Sequence, residues 1–94
     1  MNKTIHSVEI LMAEDDPEDQ MLVKEAFQEA HLCNDLWLVE DGEQLLQFLR
    51  KEGEYENVPK PGLVLLDLNM PRKDGREALR EIKSDPKLRN IPVV

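Results

Sequence analysis

The sequence predicts an α/β fold in which helices cover both faces of a parallel sheet. Short apolar runs alternate with amphipathic segments along the chain, and the most apolar run, Leu63 to Leu68, is continuous rather than alternating. A continuous apolar run is typical of a strand that is buried on both faces, as in parallel sheets. Because right-handed strand-helix-strand connections place helices against such a sheet, the alternation favours a doubly wound arrangement.

The first strand and first helix are predicted from the start of the chain. The strand is the apolar run from Val8 to Ala13, and it ends in the acids Glu14, Asp15 and Asp16. Asp16 followed by Pro17 is typical of an N-cap and a first helical residue. We therefore expect a helix from Pro17 that ends between residues 32 and 34. Its predicted apolar face consists of Leu22, Val23, Ala26, Phe27 and Ala30.

The later segments repeat the order of strand and helix, with one long polar loop before the third strand. A strand at Leu36 to Val39 is followed by a helix with the apolar face Leu45, Leu46, Phe48 and Leu49, and then by a loop from Lys51 to Gly62. The third strand is predicted at Leu63 to Leu68, with a turn from Asn69 to Gly75 after it. A third helix is marked by Ala78, Leu79 and Ile82 and ends at Ser84-Asp85-Pro86, and a fourth strand begins at Ile91 to Val94.

Composition limits the classes of function. The chain has 94 residues and predicts a single domain over residues 1–94. Its formal net charge of -8 opposes binding to nucleic acid and to anionic membranes. No stretch approaches the length of a membrane span or has the pattern of a signal peptide, so a cytoplasmic location is expected. Cys33 is the only cysteine, which excludes an internal disulfide.

Two predicted strands end in acids. The first leads into Glu14 and Asp15, and the third contains Asp67 in the most apolar segment of the chain. If these strands are neighbours, the carboxylates converge at one edge of the sheet. Two unit charges about 5 Å apart at an effective dielectric near 20 repel by roughly 3 kcal/mol, so such a cluster requires a cation or protons.

Magnesium is the cation that suits this cluster. Mg²⁺ is bound by one or two carboxylates, retains several waters and accepts a phosphate oxygen. Asn69 could add its backbone carbonyl to Glu14, Asp15 and Asp67. Phosphoryl transfer requires mainly positioning and charge neutralisation, which predicts Asp67 as a nucleophile toward phosphorus.

The ordered motifs Glu14-Asp15-Asp16-Pro17, Leu65-Leu66-Asp67-Leu68-Asn69-Met70-Pro71 and Asp74-Gly75 resemble the receiver domain of two-component response regulators. The segments around Phe48-Leu49-Arg50 and Ile82-Lys83-Ser84-Asp85-Pro86 resemble more closely the small receivers that are paired with phytochrome-type histidine kinases.

This resemblance implies a flavodoxin-like sheet of order 2-1-3-4, in which the first and third strands are adjacent. It implies that Asp67 accepts a phosphoryl group from a histidine kinase, that Glu14 and Asp15 orient Mg²⁺, and that Asn69 binds the ion through its main chain. Asp16 would cap the first helix instead. The chain would be a phosphoacceptor signalling domain and not a stand-alone enzyme.

Compared with the family, the sequence ends early, after strand four. Helix four, strand five and helix five of the family, with a hydroxyl residue and a lysine, have no counterpart before Val94. Strand four would then be an apolar edge, which favours pairing with another chain. We expect a homodimer or a segment-exchanged assembly through Ile91 to Val94.

Other classes of function receive less support from the residues. A P-loop hydrolase would require a Gly-x-x-x-x-Gly-Lys-Ser/Thr motif, which the sequence lacks. A phosphatase with an aspartyl nucleophile would commonly have a second aspartate where Asn69 stands. The remaining alternative is a truncated receiver that does not signal and acts as a dimerisation or decoy module.

Overall fold

The fold is a parallel sheet with helices on both faces. A computed structural model describes residues 8–29, 35–66 and 75–94. The sheet has three parallel strands in the order β2-β1-β3, which confirms the predicted adjacency of the first and third strands. The strands are β1 (Ile10–Ala13), β2 (Leu36–Val39) and β3 (Leu63–Leu66).

The predicted fourth strand is present only as an isolated parallel bridge between Val64 and Val93. The Val64 N–H donates to the carbonyl oxygen of Pro92 at 2.9 Å, and the Val94 N–H donates to that of Val64 at 2.9 Å. Proline has no N–H, so residue 92 accepts a hydrogen bond from β3 but cannot donate one. The backbone hydrogen bond that residue 92 would donate is therefore absent, and the segment is shorter than the predicted strand.

Three α-helices follow the strands: α1 (Pro17–Glu29), α2 (Gly42–Arg50) and α3 (Gly75–Ser84). The start of α1 at Pro17 and the end of α3 at Ser84 confirm the predicted boundaries. The predicted end of the first helix, at residues 32–34, lies outside the described residues. The long loop contains one short 3-10 helix, Gly53–Tyr55.

Side chains at the β2–α2 junction fix the start of α2. The Asp41 carboxylate is buried and accepts a hydrogen bond from the Gln44 N–H at 2.8 Å. The Gln44 side-chain oxygen in turn accepts from the Glu40 N–H at 2.8 Å. This reciprocal capping satisfies N–H groups that have no partner within the helix.

The core lies between one face of the sheet and helices α2 and α3. Right-handed crossovers place α1 on one face of the sheet and α2 and α3 on the other. Leu11 and Ala13, which alternate along β1, are fully buried with Val64 and Ile82 on the α2–α3 side. Arg50 links the two helices through weak, partly exposed ion pairs to Glu81 at 3.6 Å and to Asp85 at 3.7 Å.

Helix α1 is less buried than its sequence pattern predicts. Val23 and Phe27 are half-buried, but Ala26 is exposed and Leu22 is 63% exposed. The predicted apolar face is thus only partly covered, and its fifth member, Ala30, lies outside the described residues. Among the residues that the structure describes, α1 is the one helix on that face of the sheet. The sheet covers one side of the apolar stripe of α1, and no second described helix covers the other side.

Tyr55 makes the stability of the folded protein depend on pH. It packs on Phe48 with ring centroids 5.3 Å apart. Burial raises the pKa of the Tyr55 phenol above 10.0, and the neighbouring Glu54 carboxylate raises it further. A raised folded-state pKa means that the folded protein holds this proton more tightly than the unfolded chain does. The associated stabilisation is therefore present below pH 10.0 and is lost as the pH rises through the folded-state pKa.

Tyr55 is the only tyrosine in the chain, so an ultraviolet absorbance titration of phenolate formation reports on it alone. We expect a midpoint above 10.0 in the folded protein and near 10.0 in concentrated urea. Glu54→Gln should lower the folded-state midpoint and leave the value in urea unchanged. Identical midpoints in the folded and unfolded protein would contradict this prediction.

Candidate functional site

The carboxyl ends of β1 and β3 lie side by side. The two strands are paired in parallel, from Ile10 with Leu63 to Ala13 with Leu66. They therefore end at the same edge of the sheet. Beyond this edge the sequence continues into Glu14 after β1 and into Asp67 after β3. Asp67 and Asn69, two of the predicted site residues, lie outside the described residues.

Glu14, Asp15 and Asp16 form a tight connection between β1 and α1, which we call the acid turn. Glu14 is only 8% exposed. Its backbone N–H donates to the carbonyl oxygen of Val39 at 2.9 Å, which extends the pairing of β1 with β2 by one residue. Its carboxylate oxygen Oε2 accepts from the Asp16 N–H at 3.1 Å. Asp15, in contrast, is exposed to solvent.

Asp16 has the capping role that the sequence predicted. Its carboxylate oxygen Oδ1 accepts a hydrogen bond from the Glu18 N–H at 2.8 Å, in the first turn of α1. An aspartate at this position satisfies an N–H group at the start of the helix and adds negative charge where the helix dipole favours it. Asp16 is thereby engaged with the helix, which leaves Glu14 and Asp15 as the acids of the turn with the predicted metal-binding role.

Gln20 is a residue of this site that sequence reasoning missed. Its side-chain nitrogen Nε2 donates to the backbone oxygen of Glu14 at 2.6 Å. Gln20 is half-buried and precedes Val23 by three residues, so it lies on the sheet-facing side of α1. A polar residue on that stripe, one helical turn after the cap Asp16, is the signal that could have identified it.

The donor set fits a hard divalent cation. Carboxylate oxygens are the ligands that Mg²⁺ prefers, and one or two of them suffice because the ion retains water. Glu14 and Asp15 supply two carboxylates from one turn. Across residues 8–29, 35–66 and 75–94, no group of three or more His, Cys, Asp or Glu side chains could hold a metal ion. The other predicted ligands, Asp67 and Asn69, are outside those ranges.

One cleft among the described residues lies away from the acid turn. A cavity of about 350 Å³ lies near the C-terminal ends of α2 and α3, lined in part by Arg50, Lys51 and Lys87. Because helices that follow parallel strands run back across the sheet, this cavity is near the amino edge of the strands. Cations there are explained by the negative ends of two helix dipoles. This cleft therefore gives no reason to move the predicted site away from the carboxyl edge.

The strand order β2-β1-β3 and the acids that follow β1 define the class of the protein. It is a doubly wound α/β domain of the flavodoxin-like type, in which ligands bind at the carboxyl ends of the strands. The family described as the response regulator receiver domain matches residues 10–94. The chain belongs to this family. The resemblance seen in the sequence motifs is thereby confirmed.

The curated proteins that are similar to this chain are regulatory proteins. The chain is 49% identical over 85 residues to the response regulator Rcp1 of Synechocystis sp., an alignment that covers 90% of this chain and 58% of Rcp1. It is 40% identical over 86 residues to the probable methanogenesis regulatory protein FilR2 of Methanothrix harundinacea, covering 90% of this chain and 54% of FilR2. The chain thus spans little more than half the length of these curated relatives.

Solved structures support the same assignment. The phosphorylated cyanobacterial phytochrome response regulator RcpA superposes with a TM-score of 0.85 at 46% identity, covering 94% of this chain and 63% of RcpA. The Mn²⁺-bound form of Rcp1 superposes with a TM-score of 0.84 at 48% identity, covering 92% of this chain and 62% of Rcp1. The fold and the closer resemblance to phytochrome-associated receivers are both confirmed. Within the described ranges, no helix has the length and apolar character needed to cross a membrane.

Proposed function

We propose that the chain is a phosphoacceptor receiver that takes a phosphoryl group onto Asp67 with the help of Mg²⁺. The observation that carries this proposal is the parallel register in which Ala13 and Leu66 are partners at the ends of β1 and β3. The residues that follow them in sequence are Glu14 and Asp67. Acids that leave adjacent parallel strands at one edge are positioned to share a cation.

The proposed metal ligands are Glu14, Asp15, Asp67 and the backbone carbonyl of Asn69. Glu14 and Asp15 support this assignment because they follow β1 directly, at the edge of the sheet where β1 and β3 both end. The Mn²⁺-bound form of Rcp1 supports a divalent cation, and Mg²⁺ is the ion we propose.

The chemistry of the step follows from the carboxylate nucleophile. A carboxylate oxygen of Asp67 would attack phosphorus, the bond from phosphorus to the imidazole nitrogen of a phosphohistidine would break, and the released imidazole would take up a proton from solvent. Bound Mg²⁺ would neutralise negative charge on the phosphoryl oxygens. Glu14 and Asp15 would hold the ion close to the reacting atoms.

The proposed donor is a histidine kinase of the phytochrome type. The similarity to Rcp1 and to the phytochrome response regulator RcpA supports this partner. In the proposed role the chain accepts a phosphoryl group on its own side chain. This role is signalling and not the repeated conversion of a free substrate. We also propose one receiver domain over residues 1–94 and a cytoplasmic location.

Acetyl phosphate tests the proposed function without knowledge of the kinase. Incubation of the protein with acetyl phosphate and Mg²⁺ should add the mass of one phosphoryl group per chain, measured by intact mass spectrometry. Chelation of Mg²⁺ beforehand should prevent the addition. An unchanged mass in the presence of saturating Mg²⁺ would contradict the proposal.

Self-association through residues 91–94 remains a proposal. Pro92 and Val94 pair with β3 on one side, and Val94 is 78% exposed. Among the described residues, no strand pairs with the other edge of this segment, and an apolar edge of this kind is a template for pairing with a second copy. We expect light scattering to give a mass above that of the monomer, and Val94→Lys, at the exposed position, to shift it toward the monomer. A monomeric mass for the unmodified chain at high concentration would refute this proposal.

A further inference from the structure

We infer that Gln20 is a positioning residue that holds the acid turn in the conformation that binds Mg²⁺, an inference that rests on the proposed function. Gln20 contacts the turn twice. Its side-chain nitrogen donates to the backbone oxygen of Glu14 at 2.6 Å. Its backbone N–H donates to the carbonyl oxygen of Asp16 at 3.0 Å, which is the first hydrogen bond of α1. One residue thus connects both ends of the acid turn to the helix.

The Glu14 backbone is held from both sides. Its N–H donates to Val39 of β2, and its carbonyl oxygen accepts from Gln20 of α1. The carboxylate of Glu14 bonds to the Asp16 N–H inside the same turn. The direction in which the exposed Asp15 leaves the backbone is therefore set by the sheet on one side and by Gln20 on the other.

Mg²⁺ binding makes this restraint useful. Two adjacent carboxylates repel each other before the ion arrives, and a flexible turn would separate them and would have to be ordered on binding. Residues that orient metal ligands from outside the coordination sphere typically change metal affinity by about 10–100-fold when they are replaced. Gln20 does this through a neutral amide, so it adds no charge to the site.

A purely structural role for Gln20 would give a different result. If the side chain only stabilises the start of α1, its loss should lower thermal stability and leave the affinity for Mg²⁺ unchanged in the folded protein. If it positions the acid turn, its loss should weaken Mg²⁺ binding at temperatures where the protein is fully folded. The two roles are separated by affinity and stability measured on the same variant.

The test is a Mg²⁺ titration by calorimetry of the full chain and its variants. Gln20→Met keeps the length of the side chain and removes the donor, and we expect the Kd for Mg²⁺ to rise roughly tenfold. Gln20→Asn keeps the amide but shortens its reach, and it should show the same loss, which covers the case in which Gln20→Met does not fold. Gln28→Met, on an exposed position of the same helix, is the matched control and should bind as the unmodified chain does.

Comparison of the unmodified chain with the Gln20 variants, alone and combined with Asp15→Asn, separates this inference from the proposed function. In an Asp15→Asn background, Gln20→Met should cause a smaller further loss than it does in the unmodified chain, because one of the two ligands that the acid turn presents is gone. If the unmodified chain binds Mg²⁺ in an Asp15-dependent manner and Gln20→Met and Gln20→Asn bind equally well, the positioning role of Gln20 is wrong and the proposed function stands. If the unmodified chain binds no Mg²⁺, the proposed function itself fails.

Discussion

Replacement of Asp67 by asparagine should abolish phosphoryl uptake from acetyl phosphate. The amide nitrogen of asparagine carries no charge and its oxygen is a poor nucleophile, so the bond to phosphorus cannot form at this position. The expected result is complete loss of the mass increase that the unmodified chain shows in the presence of Mg²⁺. Intact mass spectrometry after incubation with acetyl phosphate measures this directly.

Asp35→Asn is the matched control for Asp67→Asn. Asp35 is exposed and lies immediately before β2, at the opposite edge of the sheet from the acid turn. The substitution Asp35→Asn makes the same change of charge and side-chain chemistry at a position for which no role is proposed. We expect Asp35→Asn to be phosphorylated as the unmodified chain is. Uptake that persists in Asp67→Asn would mean that another residue is the acceptor.

Replacement of Asp15 by asparagine should weaken Mg²⁺ binding by roughly 100-fold or more, since residues that only support metal ligands already account for about 10–100-fold. The Asp15 carboxylate is exposed to solvent, whereas that of Glu14 is buried. Loss of the negative charge of Asp15 would remove a proposed ligand and would also lower the attraction that the site exerts on a dication. Phosphoryl uptake should fall in parallel at any Mg²⁺ concentration below the new Kd.

Asp19→Asn distinguishes direct binding from long-range electrostatics. Asp19 is an exposed acid in the first turn of α1, close to the acid turn in sequence. The substitution changes the net charge of -8 by the same amount as Asp15→Asn. We expect only a small change in Mg²⁺ affinity, and that change should disappear at high salt. Equal losses in both variants would show that Asp15 is not a ligand.

Element boundaries were predicted best where local chemistry determines them. β2 and the start of α1 match their predictions because an apolar run and an N-cap with proline are local signals. β1 begins two residues later than predicted, at Ile10, because the ladder starts where the partner strand starts. Val8 is apolar, but it is 42% exposed and has no place in that ladder.

The packing of α1 and the contribution of Gln20 depend on tertiary structure, which the sequence pattern does not encode directly. A helical stripe of apolar residues predicts a buried face but not what covers it, and the exposure of Leu22 shows the difference. The bond from Gln20 to the Glu14 backbone requires α1 to pack across the end of β1. Strand adjacency itself came from the family resemblance, because register between distant strands is not a local property.

The proposed acids of the site stand out in the sequence because of their positions at the ends of apolar runs. Asp67 interrupts the most apolar run of the sequence, and Glu14 and Asp15 follow another apolar run. The structure adds the register that brings the ends of β1 and β3 to one edge, and it shows that Glu14 is buried while Asp15 faces solvent. That difference could not be deduced from two adjacent acids in a sequence.

A crystal structure with Mn²⁺ in place of Mg²⁺ would locate the ion through its anomalous scattering. We expect one strong anomalous peak at the carboxyl edge of the sheet, within coordination distance of carboxylate oxygens of both Asp15 and Asp67. A peak elsewhere, or no peak at saturating Mn²⁺ with the two side chains directed apart, would show that acids from the ends of β1 and β3 do not share a cation.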